Sequence, residues 1–203
     1  MKTLIIGASG ELGSVISNYL KEEGDIPILH GFKNTSSLQS LAEELQTDYY
    51  ITDITKEDEV KKLINECAKK HHFDSLVYCS GINPTAETIT KTSLEVWNNT
   101  VSVNLTGVFL TLKYSIPHLR TIENSSIVII SSIFGLNSPA NRGAYSAAKQ
   151  GINGLVQSSA KEEAGKVKSN AVCPGPMWGE NVRKIFSKHA KSIGISVEDY
   201  IKG

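Results

Sequence analysis

The sequence predicts an α/β domain in three layers, with a doubly wound parallel sheet in the middle. Short apolar runs alternate with helical hydrophobic patterns through all 203 residues, which is typical of strands that helices cover on both faces. A glycine-rich segment joins the first apolar run to the first helical pattern. Because crossovers between parallel strands are right-handed, this alternation favours the doubly wound arrangement. The length suits one domain over 1–203, and no repeat, low-complexity segment or linker divides it.

Strands and helices follow one another in a regular order. Apolar runs that are bounded by turn residues predict six strands, at 3–6, 26–30, 49–51, 75–79, 126–131 and 169–173. Helical patterns predict five helices near 11–23, 36–46, 56–71, 93–121 and 144–165, and two amphipathic helices at 180–193 and 197–201. Thr55 lies just before the third helix, where we expect it to act as the N-cap.

Charge and composition exclude several classes of protein. The chain has 21 acidic and 21 basic side chains, so its zero net charge gives no reason to expect nucleic acid or an anionic membrane as a partner. No apolar run approaches the roughly 20 residues that span a bilayer. Three scattered cysteines, Cys67, Cys79 and Cys173, suit reduced thiols in a cytoplasmic protein. CxxC and HExxH patterns are absent from the sequence, and we expect no metal site.

A glycine loop follows the first strand and opens the first helix. Gly7, Gly10 and Gly13 would let a pyrophosphate approach the backbone, and the helix N-terminus supplies N–H groups with a partial positive charge. Glu11 in this loop either faces a phosphate or points to solvent, where it favours the helix start. The position of the loop predicts a nucleotide-binding site.

The end of the second strand bears on which nucleotide would bind. Residues 29–34 contain no carboxylate that could accept hydrogen bonds from the adenosine ribose hydroxyls of NAD. Lys33 in this segment could instead meet the 2′-phosphate of NADP, or it could be an ordinary exposed loop lysine. We therefore expect NADP(H) rather than NAD(H) as the cofactor.

Tyr145 and Lys149 lie four residues apart, so they share one face of the predicted helix 144–165. A phenol has an ordinary pKa of about 10, and an ammonium group beside it favours the phenolate and lowers that pKa. The hydroxyl of Ser132, thirteen residues upstream, could hold a carbonyl or alcohol oxygen. These three groups suit a proton transfer coupled to a hydride transfer, although a tyrosine and a lysine at this spacing are also common on ordinary helix surfaces.

Further motifs lie between and after these residues. They are Asp53-Ile54, Tyr78-Cys79-Ser80-Gly81, Asn104 in the segment 103–107, Ile130-Ser131-Ser132, and Cys173-Pro174-Gly175-Pro176. In this order and spacing, the motifs resemble those of the short-chain dehydrogenases/reductases, and among them the 3-oxoacyl-carrier-protein-reductase-like members. The resemblance covers nearly the whole chain and implies the Rossmann fold.

The resemblance also implies roles for individual residues. Tyr145 would be the general acid in carbonyl reduction and the base in alcohol oxidation, and Lys149 would lower its pKa and hold the nicotinamide ribose. Ser132 would position the substrate oxygen, and Asn104 would anchor a water that links Lys149 to solvent. Cofactor contacts are implied at Gly7, Ser9, Gly10, Leu12, Gly13, Lys33, Asp53, Ile54, Ser80, Gly81, Tyr145, Lys149, Pro174 and Gly175.

Some positions depart from the family pattern. Glu11 stands where the family loop has a glycine, so the loop is closer to that of extended and atypical branches, which act largely on nucleotide sugars. Tyr78 and Cys79 replace asparagines whose hydrogen bonds stabilise the central strand. Gly179 stands about where a threonine contacts the nicotinamide carboxamide in many members.

The C-terminal part resembles the family only in part. Residues 180–203 resemble the start of a substrate-covering lid, and nothing resembles the family's last strand. The sixth strand would then be an uncovered sheet edge, so either the chain is truncated, which we favour, or another subunit covers that edge. Helices 93–121 and 144–165 resemble the family's four-helix dimer contact and imply a homodimer or homotetramer.

The function implied is an NADP(H)-dependent reduction of a carbonyl, with a 3-oxoacyl thioester as one candidate substrate. A non-catalytic or truncated relative that binds a nucleotide, or a nucleotide-sugar-modifying enzyme, is the alternative. Arg142 and Arg183 are candidates for a basic rim that would meet a carrier protein. The expected pocket-lining residues are Phe134, Leu136, Asn137, Met177, Trp178 and Phe186.

Overall fold

A computed structural model describes residues 1–33, 35–177 and 179–202. The chain forms two compact units, Met1–Cys173 and Pro174–Gly203, so the expectation of one domain over 1–203 stays a prediction. The first unit contains six strands, β1 (Lys2–Ile6), β2 (Ile26–Gly31), β3 (Tyr49–Ile51), β4 (Ser75–Tyr78), β5 (Ser126–Ile130) and β6 (Lys168–Val172). All pairings are parallel and the order is β3-β2-β1-β4-β5-β6, which confirms the predicted doubly wound α/β fold.

Helices connect the strands and cover the sheet. The helices of the first unit are α1 (Glu11–Glu22), α2 (Thr35–Leu45), α3 (Glu57–His71), α4 (Leu94–Val101), α5 (Gly107–Leu119) and α6 (Gly143–Glu162). None of the helices within the described ranges is long and apolar enough to cross a membrane.

The central strand β1 is buried on both faces. Leu4, Ile5 and Ile6 are all fully buried. Leu4 and Ile6 pack in one core cluster with residues of α3, α5 and α6, whereas Ile5 packs in a second cluster with residues of α1 and α2. Because successive side chains of a strand point to opposite faces, a strand between two helical layers has to be apolar throughout.

The predicted helix 93–121 is interrupted in the structure. A π-helical segment, Ser102–Thr106, separates α4 from α5. The N–H of Gly107 donates to the carbonyl of Ser102, five residues earlier, where an α-helix would use the residue four earlier. Hydrophobic periodicity does not distinguish these two patterns, so the sequence did not predict the interruption.

The predicted N-cap role of Thr55 is wrong. The helix α3 begins at Glu57, with Lys56 as an N-cap that makes no side-chain hydrogen bond. Thr55 instead donates from its N–H and its hydroxyl to Oδ1 of Asp53, at 3.0 and 2.7 Å. This local turn around Asp53 uses the hydroxyl of Thr55 before the helix begins.

The second unit contains two helices, α7 (Glu180–Ile193) and α8 (Val197–Lys202), as the sequence predicted. Gly194 ends α7 in the left-handed conformation, with a φ of 73°. The rings of Phe186 and Tyr200 pack edge to face, with centroids 5.3 Å apart. Within the described residues no strand follows β6, which pairs with β5 alone. The lid role of 180–203 stays a prediction.

Candidate active site

Three loops meet at the carboxyl edge of the sheet. Because β1, β4 and β5 are parallel neighbours, the segments that follow them emerge at the same edge. The glycine loop follows β1, the segment 79–82 follows β4, and the segment that contains Ser132 follows β5. The predicted motifs, far apart in the sequence, therefore lie at one edge of the sheet.

The glycine loop is built around close backbone contacts. Gly7 has a φ of 91°, and a Cβ there would lie 2.7 Å from the N and Oγ atoms of Ser80. A Cβ on Gly13 would lie 2.2 Å from the carbonyl oxygen of Gly7. Gly10 is the N-cap of α1 and makes no side-chain capping bond, so the residue at the cap position places no side chain in the cradle that the loop and the helix N-terminus form. Such a cradle fits a pyrophosphate.

His30 supports this loop, and sequence reasoning missed it. Its main-chain oxygen accepts hydrogen bonds from the N–H groups of Gly7 and Ala8, at 3.1 and 2.8 Å. Its ring Nε2 lies 3.1 Å from the carbonyl oxygen of Thr52, and its Nδ1 lies 3.4 Å from the N of Gly7. Burial lowers the pKa of His30 to about 4. The only signal in the sequence was a polar residue inside an apolar strand.

The residues that are expected to contact the adenosine differ in how accessible their side chains are. Asp53 is half-buried, and its carboxylate is engaged by Thr55. Ile54 is 6% exposed and belongs to the core, so only its main chain would be available to a cofactor. Lys33 is exposed, with Nζ 5.2 Å from the centroid of the Phe32 ring.

A groove lies between the glycine loop, α1 and α2. Its volume is about 510 Å³. Hydroxyl groups dominate its walls, which suits a ligand with several hydrogen-bonding groups. The lining residues are Ala8, Ser9, Ser14, Asn18, Ser36, Ser37, Ser40, Leu41 and Glu44.

Tyr145 lies near the start of α6, half-buried beside Ser132. Burial raises the pKa of Tyr145, while hydrogen bonding with Ser132 and the charge of Arg142 act in the opposite direction. The Oγ of Ser132 accepts a hydrogen bond from the N–H of Phe134, at 3.2 Å. This leaves the hydroxyl proton of Ser132 available to another oxygen. The ring of Phe134 packs edge to face on Tyr145, with centroids 6.2 Å apart.

Lys149 is buried one turn after Tyr145. Its Nζ donates to the carbonyl of Ile130, at 2.8 Å, and lies 5.6 Å from the centroid of the Tyr145 ring. Burial lowers the pKa of Lys149 to about 8. The expected lowering of the Tyr145 pKa by Lys149 is not seen. The opposing effects come from Ser132 and Arg142 instead, and the ammonium of Lys149 is held by Ile130.

Asn104 is fully buried within the π-helical segment. Its Oδ1 accepts from the N–H of Ile82 at 3.2 Å, and its Nδ2 donates to the carbonyls of Ile82 and Thr100 at 2.9 and 3.0 Å. A Cβ on Gly81 would lie 2.8 Å from Oδ1 of Asn104 and 3.8 Å from Nζ of Lys149. Asn104 and Lys149 therefore both border the space beside Gly81 that a side chain would fill.

A second network, also missed from the sequence, holds the turn after Ser132. Ser131 donates to the carbonyl of Lys149 at 3.1 Å, and Asn153 donates to the carbonyl of Gly135 at 2.9 Å. A Cβ on Gly135 would lie within 3 Å of Lys149, Ser131 and Asn153. The segment that carries Ser132 is thus packed against the helix that carries Tyr145 and Lys149.

The remaining predicted residues are distributed between the two units. Arg142, expected at a basic rim, donates from Nη1 to Oδ1 of Asn83 and to the carbonyl of Pro84, at 3.0 and 2.8 Å, so it holds the loop after β4. Trp178 lies outside the described residues. Phe134, Leu136 and Asn137 follow Ser132 in the first unit, and Pro174, Gly175, Met177, Arg183 and Phe186 lie in the second unit.

No metal site accompanies this arrangement in the part of the chain that the structure describes. No three His, Cys, Asp or Glu side chains converge there. All three cysteines are free thiols. The groups that converge are a phenol, a hydroxyl, an ammonium and a carboxamide, which can move protons and orient a polar oxygen.

Comparisons with known proteins agree with one another. A family model described as short chain dehydrogenase matches residues 2–190. The chain is 31% identical, over 179 residues, to the 3-oxoacyl-acyl-carrier-protein reductase FabG of Thermotoga maritima, which covers 85% of this chain and 72% of that protein. It is 28% identical to a D-beta-hydroxybutyrate dehydrogenase of Cupriavidus necator, covering 96% of this chain and 78% of that protein.

The chain is also similar to solved structures. A short-chain type dehydrogenase/reductase from Mycobacterium ulcerans matches with a TM-score of 0.87 at 27% identity, covering 92% of this chain and 71% of that one. A structure described as ElxO with NADP bound matches with a TM-score of 0.85 at 27% identity, covering 93% of this chain and 78% of that one.

Proposed function

The chain belongs to the short-chain dehydrogenase family, and on that premise we propose that it is an NADP(H)-dependent oxidoreductase that reduces a carbonyl to an alcohol. One observation carries this proposal. The phenol of Tyr145, the hydroxyl of Ser132 and the ammonium of Lys149 converge at the sheet edge that also bears the glycine loop. A proton donor thereby lies at the same edge as a nucleotide cradle.

The residues present fit a nicotinamide dinucleotide. The close contacts at Gly7 and Gly13 leave no space for side chains, and Gly10 caps α1 without one. The cofactor supplies the hydride when it is bound. We propose that the residues that hold it are Gly7, Ser9, Gly10, Leu12, Gly13, Lys33, Asp53, Ile54, Ser80, Gly81, Tyr145, Lys149, Pro174 and Gly175.

Tyr145 acts as the general acid in the proposed reduction. Its raised pKa keeps the phenol protonated at neutral pH, so it can donate its proton to the carbonyl oxygen while the carbonyl carbon receives the hydride. Ser132 accepts from the N–H of Phe134, and therefore points its own proton toward an acceptor oxygen. In alcohol oxidation the same phenol would have to lose its proton first.

Lys149 and Asn104 help to resupply Tyr145 with a proton after it has donated its own. Lys149 is an ammonium group with a pKa of about 8, so near neutral pH it can both hold and release a proton. The carboxamide of Asn104 and Nζ of Lys149 both border the position where a Cβ on Gly81 would lie. We propose that a water bound at Asn104 connects Lys149 to solvent.

Two observations support the choice of NADP(H). The end of β2 has no carboxylate, and Lys33 is exposed just after it. A relative at 27% identity has been solved with NADP bound. A positive side chain at this place favours the additional phosphate of NADP over the free ribose hydroxyl of NAD.

The named relatives support a proposed substrate class. A 3-oxoacyl-carrier-protein reductase and a D-beta-hydroxybutyrate dehydrogenase both act at an oxygen on the third carbon of an acyl chain, as their names state. We propose a 3-oxoacyl compound, such as a 3-oxoacyl thioester, as the substrate. Phe134 and Leu136 beside the catalytic serine provide apolar surface for an acyl chain.

We also propose that the chain forms a homodimer or homotetramer through α4, α5 and α6. Large apolar side chains are exposed on α4 and α5, with Leu94 at 71%, Trp97 at 41% and Phe109 at 46%. Side chains of this size are typical of buried interface positions.

The proposed function is tested by cofactor binding and turnover. We expect the fluorescence of NADPH to report tighter binding than that of NADH, and NADPH to be oxidised in the presence of a 3-oxoacyl thioester. Tyr145→Phe should retain NADPH binding and lose turnover by about 10²- to 10⁴-fold, whereas Tyr19→Phe, at an exposed tyrosine of α1, should match the wild type. Binding of neither nucleotide would refute the proposed oxidoreductase, and tighter NADH binding would overturn the choice of cofactor.

A further inference from the structure

Tyr78 ends β4 directly beneath the π-helical segment. Its side chain is fully buried, and its hydroxyl donates a hydrogen bond to the carbonyl of Val103, at 3.0 Å. Val103 immediately precedes Asn104 in the chain. Burial raises the pKa of Tyr78, so the phenol keeps its proton and remains a hydrogen-bond donor.

The carbonyl of Val103 does not receive its α-helical donor. In an α-helix this carbonyl would accept from the N–H of Gly107, four residues later. Here that N–H donates to Ser102 instead. The hydroxyl of Tyr78 donates to the carbonyl of Val103, and a donor from outside the helix at this carbonyl favours the π-helical register over the α-helical one.

The contact surface between β4 and the next helix is shaped around this phenol. A Cβ on Gly107 would lie 2.5 Å from the hydroxyl oxygen of Tyr78 and 3.2 Å from Cδ1 of Ile54. Only a glycine at this position leaves room for the phenol. Tyr78 and Gly107 therefore form a matched pair, as a large side chain and the space that receives it.

The segment after β4 and the π-helical segment are joined at two points. Tyr78 bonds to Val103 at one point, and Asn104 bonds to the N–H and carbonyl of Ile82 at the other. Gly81 lies between these points in the chain, and the position where its Cβ would lie is 2.8 Å from Oδ1 of Asn104 and 3.8 Å from Nζ of Lys149. The position of Asn104 relative to Lys149 thus depends on the hydrogen bonds at both points.

We propose that Tyr78 is a positioning residue for the active site: its hydroxyl holds the π-helical turn that presents Asn104 to Gly81 and Lys149. The catalytic consequence of this contact rests on the proposed function. Loss of the hydroxyl would let the turn shift toward an α-helical register, and Asn104 would move with it.

The direct test is Tyr78→Phe, which removes the hydroxyl and keeps the ring. We expect amide hydrogen exchange in residues 102–107 to become about tenfold faster, as for the loss of one buried hydrogen bond, while exchange in β1 and α3 stays unchanged. For turnover, we expect kcat to fall about tenfold while the dissociation constant for NADPH changes less than twofold. Tyr50→Phe, which removes a hydroxyl that bonds to His71 at 3.0 Å, is the matched control.

A second variant tests the matched pair. Gly107→Ala alone should accelerate exchange in 102–107, because its Cβ would collide with the phenol. In the double variant with Tyr78→Phe, the alanine should cause a smaller additional increase than it does alone, since the colliding oxygen is gone. Purely additive effects would show that the two residues do not act as a pair.

The outcomes separate this proposal from the proposed function. Unchanged exchange at 102–107 in Tyr78→Phe overturns the positioning role whether or not the protein has activity. Uniformly faster exchange with a parallel loss of NADPH binding also overturns it, because this would indicate a general loss of stability. A wild type without turnover would refute the proposed function, and the exchange data would still decide the role of Tyr78.

Discussion

The ammonium group of Lys149 donates a hydrogen bond to the main-chain carbonyl of Ile130, 2.8 Å away. Ile130 is the last residue of β5, and Ser132 follows two residues later. The bond therefore ties the helix with Tyr145 to the strand end that precedes Ser132. Lys149 is only 4% exposed, and burial lowers its pKa to about 8, so its charge changes within the range of ordinary assays.

Carbonyl reduction is expected to slow as the pH rises through about 8. Lys149 is protonated below this pH and loses its charge above it, while the raised pKa of Tyr145 keeps the phenol protonated as Lys149 titrates. Measured between about pH 6 and pH 10, kcat/KM for reduction should show one descending limb. In Lys149→Arg this limb should move to higher pH because a guanidinium stays charged. A limb that does not move in the variant would show that Lys149 is not the titrating group.

Gly13→Ala is expected to destabilise the protein, because the new Cβ would lie 2.2 Å from the carbonyl oxygen of Gly7. Forced overpacking of this kind costs about 2 kcal/mol, or roughly 4–8 °C in Tm. Gly10→Ala in the same loop is the control, since its Cβ would be 3.4 Å from the nearest atom and its φ is −83°. Thermal denaturation of both variants measures the difference. Equal stability of the two would contradict the close contact.

Acid should weaken the fold through His30. Its pKa is about 4 in the folded chain, against an ordinary value of 6.5, so below pH 6.5 the unfolded chain binds a proton that the folded chain does not. The free energy of unfolding should therefore fall by about 3 kcal/mol from this group as the pH drops from 6.5 to 4. Urea denaturation at several pH values measures this dependence.

His30→Gln should be less stable at neutral pH, but should lose less of its remaining stability over the same interval, since glutamine does not titrate. His72→Asn, at the exposed left-handed C-cap of α3, should keep the wild-type pH dependence. If His30→Gln also keeps it, another group carries the effect of acid on stability.

Phe109→Glu is expected to convert a dimer or tetramer into smaller species, because a charge would replace an apolar side chain at the proposed interface on α5. Val15→Glu on α1 is the matched control, since Val15 is 64% exposed and Phe109 46% and α1 lies outside that interface. Sedimentation velocity at equal protein concentrations distinguishes them. A wild type that sediments as a monomer would contradict the proposed assembly.

The element order could be predicted because parallel strands between two helical layers must be apolar on both faces, as Leu4, Ile5 and Ile6 are. The helix cap could not be predicted, because Asp53 competes for the hydroxyl of Thr55 in a local turn. The π-helical segment could not be predicted either. It depends on hydrogen bonds from Tyr78 and to Ile82, which are 25 and 22 residues away from their partners in the chain.

The sequence by itself determined the fold class and singled out Tyr145, Lys149 and Ser132, because their chemistry and spacing are visible in the order of the residues. Asn104 was identified through the resemblance to the family. Tertiary structure alone decided the direction of the Tyr145 pKa, the engagement of Lys149 by Ile130, and the supporting contacts of His30 and Tyr78. These depend on burial and on distances between segments that only folding brings together. A pattern in one segment carries no information about the dielectric surroundings or hydrogen-bond partners that another segment provides.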